Sequence, residues 1–300
     1  MNASDQLLQQ LNQLNAENSG LSYYLRDFWV KYEDPRMSGL PLMGGGPWMV
    51  IFISLLYILF CTKIGPAYMK NREPFDLRSL MLHYNSILIG VNGVGTFIGL
   101  WITHWGWDTW NCTQHKPNVN DYRETLIVYL GFCFVVSKFF DFGDTIFFVL
   151  RKKHNQVTFL HLFHHGIMPL GCCLGLKFHP VAYSGFMPII NAFIHALMYS
   201  YYSLACAGQD LKPYLTWKKQ LTQAQMIQFI LIFIHAGNAL LNPVCRWPLT
   251  LTLLELVHAV LFFFLFYSFY RAAYGAKKLR QASMDVNGNE MAKPTKQRSD

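Results

Sequence analysis

Long apolar runs separated by short polar loops dominate the pattern of residues along the chain. A helix that spans a bilayer needs about 20 mostly apolar residues, and seven segments meet or nearly meet this requirement. They lie near residues 40–62, 79–107, 125–150, 155–176, 180–207, 222–243 and 248–271. The pattern therefore predicts an all-α integral membrane protein with seven transmembrane helices.

The two ends of the chain are polar and lie outside the predicted spans. The first 36 residues are rich in Gln and Asn and lack the basic and apolar regions of a cleavable signal peptide. From about Gln281 the chain is polar and basic, which is typical of a disordered tail. We expect a polar N-terminal segment (1–36), a single seven-helix domain (37–275) and a basic tail (276–300).

Composition and charge agree with a membrane protein and add an orientation. Charged residues make up only 14% of the chain, whereas soluble globular chains carry roughly 25%. The net charge of +8 is concentrated in loops on one predicted side of the membrane, and positively charged loops stay in the cytosol. We therefore expect a cytosolic C-terminus, an N-terminus on the opposite side and no nucleic-acid partner. The basic rim also suits a phosphate-rich ligand.

The seven cysteines are an odd number, so at least one is unpaired within the chain. Cys112 and Cys245 both fall in predicted non-cytosolic loops, where an oxidising compartment permits a disulfide bond. We predict that these two cysteines form a bridge. The other five lie in or at the ends of predicted spans, where we expect them to pack as small apolar residues.

Ionisable side chains inside the third predicted span interrupt the apolar pattern. Such groups cost about 3 kcal/mol each at membrane depth, so they are functional candidates. Helical spacing places Lys138, Asp141 and Thr145 on one face, with Asp144 beside Asp141. In a low-dielectric site the lysine and the carboxylates must pair. The pair either takes part in chemistry or only orients the helices.

The fourth predicted span opens with three histidines, in a run from 155 to 176 without Asp, Glu, Lys or Arg. His161, His164 and His165, hereafter the histidine box, share one helical face because they are spaced i, i+3 and i+4. Neutral imidazole is a metal ligand, a general base and an acyl acceptor, and burial favours the neutral form. The lone histidines His235 and His258 are interpreted instead as core residues.

Polar side chains also follow one face of the fifth and sixth predicted spans. On the fifth span they are Asn191, His195, Met198, Tyr199 and Tyr202, and on the sixth they are Thr222, Gln225 and Gln228. All of these sets can face a common interior together with the histidine box and Lys138.

Two other protein classes have comparable features. Membrane desaturases and hydroxylases also use HxxHH boxes, but they need several boxes, whereas this chain has one, which suits at most one zinc. Seven spans also occur in receptors and transporters, yet neither class needs a histidine triplet beside a Lys/Asp cluster. Cys172 and Cys173 offer another nucleophile, but they lie about two helical turns, over ~10 Å, beyond His164.

Five motifs, taken in order, resemble those of one known family. They are KFFDFGDT, RKKHNQVTFLHLFHH, NAFIHALMYSYY, LTQAQMIQF and LFYSFYRAAY, within a match that runs from about residue 40 to about 275. In this order they resemble the ELO family of very-long-chain fatty acid elongases, the membrane 3-ketoacyl-CoA synthases. One position differs, because the family usually has Glu where this chain has Asp141, whose side chain is one methylene shorter.

The resemblance implies the condensing step of microsomal elongation, in which acyl-CoA and malonyl-CoA give 3-ketoacyl-CoA, CO2 and free CoA. It implies that spans two to seven form a bundle around a narrow acyl tunnel, with the first span peripheral. It also implies the endoplasmic reticulum membrane, with a luminal N-terminus and a cytosolic C-terminus. The expected partners are the two CoA substrates, the lipid bilayer and the other elongation-cycle enzymes. The resemblance is also compatible with a homo-oligomer. No metal or other cofactor is expected.

The resemblance also implies roles for the histidines. His164 is expected to accept the acyl group as an acyl-imidazole, with His195 as a partner at the same centre. His161 and His165 are expected to flank His164 and contribute to catalysis.

The other candidate residues have supporting roles. Lys138 is expected to stabilise the developing enolate or the malonyl carboxylate, with Asp141 and Asp144 orienting it. Polar candidates for the carbonyl or pantetheine groups of the substrates are Asn191, Gln156, Tyr199, Tyr202, Gln225 and Gln228. Basic candidates for the CoA phosphates are Arg151, Lys152, Lys218 and Lys219.

Overall fold

The computed structural model describes residues 20–112 and 120–275, and these two ranges are helical and contain no β-strand. The long helices are α1 (Trp48–Met69), α2 (Arg78–Ile102), α3 (Tyr122–Phe140), α4 (Phe142–Leu150), α5 (Phe159–Phe178), α6 (Phe186–Ala207), α7 (Lys218–Leu241) and α8 (Leu249–Tyr270). The predicted tail (276–300) and the first 19 residues of the predicted N-terminal segment lie outside the described residues.

Six helical segments in the described residues are long and apolar enough to cross a membrane. They contain α1, α2, α3 with α4, α5, α7 and α8. The fifth predicted span corresponds to α6, whose 22 residues are enough to cross a hydrocarbon core of about 30 Å at ~1.5 Å per residue. However, the mean hydropathy of α6 is too low to place it among these six, because Asn191, His195 and several tyrosines lie within it. The seven-span count therefore remains a prediction.

Six helices form a closed ring around the interior of the protein, namely α2, α3, α5, α6, α7 and α8. Around the ring, α2 packs against α3, α3 against α5, α5 against α8, α8 against α7, α7 against α6, and α6 against α2. Helix α1 lies outside the ring, against α5 and α4. This is the arrangement that the resemblance implies for spans two to seven and for a peripheral first span.

The two ends of the ring differ in the helix termini that meet there. At one end, α2, α5 and α7 begin and α4, α6 and α8 terminate. We call it the histidine end, because the histidine box lies at the start of α5. At the other end, the same helical segments have their opposite termini. We call it the disulfide end, because Cys112 and Cys245 are bonded there. At the histidine end, Arg78 donates from Nε to the carbonyl of Cys206 at 2.7 Å and from Nη2 to the carbonyl of Ala207 at 2.9 Å. Because the last carbonyls of a helix lack intrahelical partners, these bonds cap α6 and fix it against α2.

The described residues before α1 are folded against the disulfide end of α5. Lys177 is 0% exposed, and its Nζ donates to the carboxylate of Glu33 and to the carbonyl of Met43. The backbone N–H of Asp34 donates to the carbonyl of Lys177 at 2.8 Å. Met37 and Met43 lie in a hydrophobic cluster with residues of α3 and α5. The predicted boundary between residues 36 and 37 therefore falls within a packed segment.

Asp141 interrupts the single helix that the third predicted span is expected to form. Helix α3 ends at Phe140 and α4 begins at Phe142. The carbonyl of Phe140 accepts a hydrogen bond from Tyr84 Oη at 2.7 Å, so the interruption leaves this group satisfied. A Cβ atom at Gly143 would lie 2.9 Å from the Tyr84 ring, so glycine is needed for this approach.

Cys112, after α2, forms a disulfide bond with Cys245, between α7 and α8. Their Cα atoms are 4.9 Å apart and the two residues are separated by 133 positions in sequence. Beside the bridge, the N–H of Arg246 donates to the carbonyl of Cys112 at 2.6 Å. This is the pair that the cysteine placement predicts, and it ties the loop after α2 to the loop before α8.

We expect that replacing both Cys112 and Cys245 by Ser lowers the free energy of unfolding by about 2–4 kcal/mol, because the bridge restricts the unfolded chain. The measurement is the thermal unfolding midpoint in detergent, with Cys133→Ser, which removes an exposed free thiol, as the control. Non-reducing peptide mapping should recover the peptide that contains Cys112 covalently linked to the peptide that contains Cys245. Recovery of both as free thiols would contradict the assignment.

Candidate active site

Lys138 is the buried cation at the centre of the first group of predicted site residues. Its side chain is only 2% exposed, and its Nζ lies 2.9 Å from Asp141 Oδ2. The same nitrogen donates to Asn191 Oδ1 at 3.1 Å and lies 4.7 Å from the centroid of the Phe134 ring. An ammonium group in an apolar interior requires such partners, and these contacts fix its position between α3 and α6.

Tyr199 ties both carboxyl groups of the third predicted span to α6. Its Oη lies 2.8 Å from Asp141 Oδ1 and 2.9 Å from Asp144 Oδ2. His195 Nδ1 lies 3.5 Å from Asp141 Oδ2, and no hydrogen bond satisfies this nitrogen within the described residues. We refer to Lys138, Asp141, Asp144, Asn191, His195 and Tyr199 as the carboxylate cluster. The structure thus brings together six residues predicted from two separate motifs.

The shorter side chain at position 141 still reaches its partners. Asp141 contacts Lys138 through Oδ2 and Tyr199 through Oδ1, and it faces His195. Its backbone lies at the interruption between α3 and α4, outside the regular path of either helix. The aspartate therefore makes two polar contacts without the extra methylene of the family's usual glutamate.

The histidine box lies at the start of α5 and is connected to α4 by hydrogen bonds. His161 Nε2 lies 2.8 Å from Thr145 Oγ1, and Thr145 Oγ1 lies 2.7 Å from Tyr57 Oη of α1. Thr158 caps α5, because its Oγ1 accepts a hydrogen bond from the N–H of His161 at 3.3 Å. Since Thr145 follows Asp144 in the chain, α4 links the histidine box to the carboxylate cluster.

His164 and His195 make different contacts. The His164 ring packs edge-on against Phe262 of α8 at 4.9 Å between centroids, and it lies 5.3 Å from the His165 ring. His195 instead faces Asp141 and packs on Tyr199 at 5.9 Å. The single centre expected from the sequence thus consists of two adjoining groups, one beside α8 and one beside α4.

An apolar cavity of about 630 Å³ lies inside the ring, lined by residues of α2, α3, α5, α6, α7 and α8. A volume of this size is within the range of small-molecule sites, and its lining suits an alkyl chain. Cys172 lines the cavity, whereas Cys173 packs against Met43. Both cysteines therefore pack among apolar residues, as the sequence predicts.

The cavity ends beside the two polar groups and does not include them. Its wall contains Ser137, which precedes Lys138, and Ala192, which follows Asn191. The wall also contains Phe262, whose ring contacts His164. Among the described residues that line it, there is no member of the histidine box or of the carboxylate cluster. An alkyl chain in the cavity would therefore place its head at this polar boundary.

The predicted substrate-binding residues on α6 and α7 are partly brought to the site. The ring of Tyr202 packs edge-on against Tyr199 at 6.1 Å. Gln225 Nε2 lies 3.8 Å from Met198 Sδ, and Gln228 is buried with an Oε1 that has no hydrogen-bond partner in the described residues. These side chains extend the polar interior toward α7.

The remaining predicted residues lie at the histidine end, away from the carboxylate cluster. Gln156, Lys218 and Lys219 are exposed, and Arg151 and Lys152 are partly buried. They form a basic and polar rim around the end of the ring that is nearest to the histidine box.

Three residues of the site were not predicted. Tyr57 contributes a hydroxyl from the peripheral helix α1, Tyr84 binds the interrupted helix, and Phe262 separates His164 from the cavity. Each is an aromatic residue within an apolar run, so no spacing pattern distinguishes it from a lipid-facing or core residue.

The histidines are engaged in contacts that differ from metal coordination. Within residues 20–112 and 120–275, no group of three or more His, Cys, Asp or Glu side chains is arranged to hold a metal ion. His161 is bonded to Thr145, and His235 Nε2 is 2.8 Å from the carbonyl of Thr109 between two stacked aromatic rings. These contacts lend no support to the desaturase or hydroxylase alternative. His235 is the core residue expected from the sequence, while His258 lines the cavity.

We expect that Thr145→Val lowers the free energy of unfolding by about 1–3 kcal/mol, because Tyr57 Oη and His161 Nε2 both lose a buried partner. Thr145→Ser keeps the hydroxyl and serves as the matched control. Thermal unfolding in detergent compares the two variants. Equal thermal unfolding midpoints for Thr145→Val and Thr145→Ser would show that these hydrogen bonds add no stability.

Comparison with known proteins shows similarity over most of the chain. The sequence model of the ELO family, described as the GNS1/SUR4 family, matches residues 42–282. "Very long chain fatty acid elongase 7" of Drosophila melanogaster is 37% identical over 271 residues, covering 88% of this chain and 80% of its own. "Very long chain fatty acid elongase AAEL008004" of Aedes aegypti is 38% identical, covering 86% and 72%. "Very long chain fatty acid elongase 1" of Homo sapiens is 36% identical, covering 86% and 92%.

Proposed function

Because the chain belongs to the ELO, or GNS1/SUR4, family, we propose that this multi-pass membrane protein is the condensing enzyme of fatty acid elongation. It joins a long-chain acyl-CoA to malonyl-CoA and releases 3-ketoacyl-CoA, CO2 and CoA. The observation that carries the proposal is the position of the polar groups at one end of the apolar cavity. The cavity suits the acyl chain, while the histidine box and the carboxylate cluster lie where the thioester would be.

The first step is transfer of the acyl group to His164. A nitrogen of the neutral imidazole bonds to the thioester carbon, the carbon–sulfur bond breaks, and the imidazole proton ends on the CoA sulfur. Two features support this role: His164 lies beside Phe262, which lines the cavity, and its ring is held by edge-on contacts with Phe262 and Phe266. His161 and His165 hold the start of α5 in place through Thr145 and ring contacts.

The second step is decarboxylation of malonyl-CoA and attack on the acyl carbon. The bond to the malonyl carboxylate breaks, CO2 leaves, and the resulting enolate bonds to the acyl carbon while His164 departs and takes up a proton from solvent. Lys138 stabilises the negative charge that develops on the enolate oxygen. Asp141 and Asn191 fix its Nζ, Tyr199 binds both Asp141 and Asp144, and His195 lies at the Asp141 carboxylate.

The CoA portions of both substrates bind at the histidine end. Arg151, Lys152, Lys218 and Lys219 supply positive charge for the phosphates. Gln156, Tyr202, Gln225 and Gln228 supply hydrogen bonds for the pantetheine arms. Since CoA thioesters are cytosolic, this end faces the cytosol, the C-terminus is cytosolic, and the N-terminus and the disulfide end face the lumen of the endoplasmic reticulum. The other enzymes of the elongation cycle act on its product, and no cofactor besides the two substrates is required.

The test is an elongation assay of the purified protein with radiolabelled malonyl-CoA and a ladder of acyl-CoA chain lengths. We expect 3-ketoacyl products two carbons longer than the substrate, formed only when both substrates are present. Lys138→Met should form none of them. A metal analysis of the same preparation completes the test. Absence of product with every chain length, or stoichiometric iron whose removal abolishes turnover, would contradict the proposal.

A further inference from the structure

The acyl cavity contains two polar atoms whose presence an alkyl chain does not explain. Glu255 and Trp247 both line it, in a wall that is mostly apolar. Other polar lining residues, namely Asn92, Thr103 and Ser137, donate to carbonyls of their own helices. Glu255 Oε2 and Trp247 Nε1 are shielded from solvent and have no hydrogen-bond partner in the described residues. A buried polar atom without a partner is costly, so these two atoms indicate a ligand that supplies the missing hydrogen bonds.

Glu255 occupies a defined depth in the cavity. Residues Leu251, Glu255, His258 and Phe262 of α8 line it, at the four- and three-residue spacing of one helical face. Phe262 contacts His164, and Glu255 is seven residues earlier on α8, or about 10 Å along the helix axis. An extended chain advances about 1.2 Å per bond, so Glu255 lies roughly eight bonds from an acyl carbon held at His164. Trp247 lies still further toward the disulfide end.

We propose that Glu255 is a specificity-determining residue that selects acyl chains with a hydroxyl group near their middle over saturated chains. A substrate hydroxyl group can bond to Glu255 in either protonation state of the glutamate. The hydroxyl group donates a hydrogen bond to the ionised carboxylate, and it accepts one from the protonated carboxylic acid. Trp247 adds an N–H donor for an oxygen further along the chain. The inference rests on the proposed function, because it identifies the substrate class of the same cavity.

A saturated chain is disfavoured at this position for the opposite reason. It fills the space around Glu255 without supplying a hydrogen bond, so it excludes water and leaves the carboxyl oxygen unpaired. A site built to bond a substrate hydroxyl discriminates against the analogue that lacks it by this mechanism. Glu255→Gln retains the ability to bond a hydroxyl group, whereas Glu255→Leu removes both this hydrogen bond and the cost of an unpaired carboxyl oxygen.

The experiment compares kcat/KM for 10-hydroxyoctadecanoyl-CoA and octadecanoyl-CoA. We expect the wild-type protein to prefer the hydroxylated substrate, and Glu255→Leu to shift this ratio toward the saturated one by roughly five- to thirty-fold. Glu255→Gln should keep the preference. Leu254→Ala, at a neighbouring lining residue, changes cavity volume without changing polarity and should affect both substrates equally. Trp247→Phe tests the second atom with a 16-hydroxyoctadecanoyl-CoA probe and should reduce the preference for that probe.

Competition binding makes the test independent of turnover. Binding is measured with His164→Ala and with His164→Ala combined with Glu255→Leu, because neither protein can be acylated at position 164. Displacement of radiolabelled octadecanoyl-CoA by each unlabelled substrate then gives the same ratio as an affinity. If the ratio is unchanged in Glu255→Leu, or if the wild type prefers the saturated chain, this inference is overturned although elongation itself stands. If no acyl-CoA is elongated at all, the proposed function fails, and the binding ratio still decides whether Glu255 recognises a hydroxyl group.

Discussion

Replacing Asp141 by Ala is expected to abolish nearly all elongation activity. Asp141 is the ion-pair partner of Lys138 and accepts from Tyr199, and all three side chains are buried. Removing one member of a buried pair leaves an uncompensated charge and costs about 3–5 kcal/mol. The cost appears as a lower thermal midpoint, as a misplaced Lys138, or as both. The measurements are turnover with radiolabelled malonyl-CoA and thermal unfolding in detergent.

Asp141→Glu is the matched control for this prediction, because it restores the residue that is usual in the family. We expect it to retain activity or to increase it, since the carboxylate needed by Lys138 is still present. Asp141→Asn, which keeps the size but loses the charge, should resemble the alanine variant. Full activity of Asp141→Ala at normal expression would show that the carboxylate is not needed.

Replacing His164 by Ala is expected to eliminate release of CoA from acyl-CoA in the absence of malonyl-CoA. The reason is chemical, since the imidazole of His164 is the group that bonds to the acyl carbon and no neighbouring side chain replaces it. His161→Ala and His195→Ala should chiefly slow the release, because these residues position the start of α5 and the carboxylate cluster. The measurement is rapid-quench detection of free CoA.

His104→Ala is the control for the histidine substitutions. His104 is exposed at the disulfide end, where its Nδ1 pairs with Asp108 at 2.6 Å, so its loss should leave CoA release unchanged. Thermal unfolding should show that His164→Ala is folded, although the edge-on contact with Phe262 is lost. Normal CoA release by folded His164→Ala would exclude this residue as the nucleophile.

Most of the carboxylate cluster was predictable from helical periodicity alone. Lys138 and Asp141 are three residues apart, and Asn191, His195 and Tyr199 recur at intervals of four, so each set had to share a face. Contacts between distant segments gave no such signal. The hydroxyl of Tyr57 reaches Thr145 from outside the ring, and Glu33 pairs with Lys177 across 144 positions. These contacts depend on the tertiary packing of whole helices.

Hydropathy is least informative for the helix that carries much of the site. Helix α6 is long enough to span a membrane, but its inward face holds Asn191, His195 and Tyr199, which lower its mean hydropathy. The interruption at Asp141 was also not predictable, because the partner of the Phe140 carbonyl there is Tyr84, which is 56 positions away in sequence. Likewise, Glu255 is the one acidic residue in the apolar run 248–271, and its role becomes apparent only from the cavity that it lines.

The central claim is that His164 carries the acyl group, and mass spectrometry of the wild-type protein tests it most directly. The purified protein is incubated with long-chain acyl-CoA alone, quenched and digested. We expect one equivalent of CoA to be released per enzyme and the mass of the acyl group to be found on the peptide that contains His164, and chelators should change neither result. Acylation of the peptide at Cys172 and Cys173, no acylated peptide at all, or loss of CoA release on chelation would contradict it.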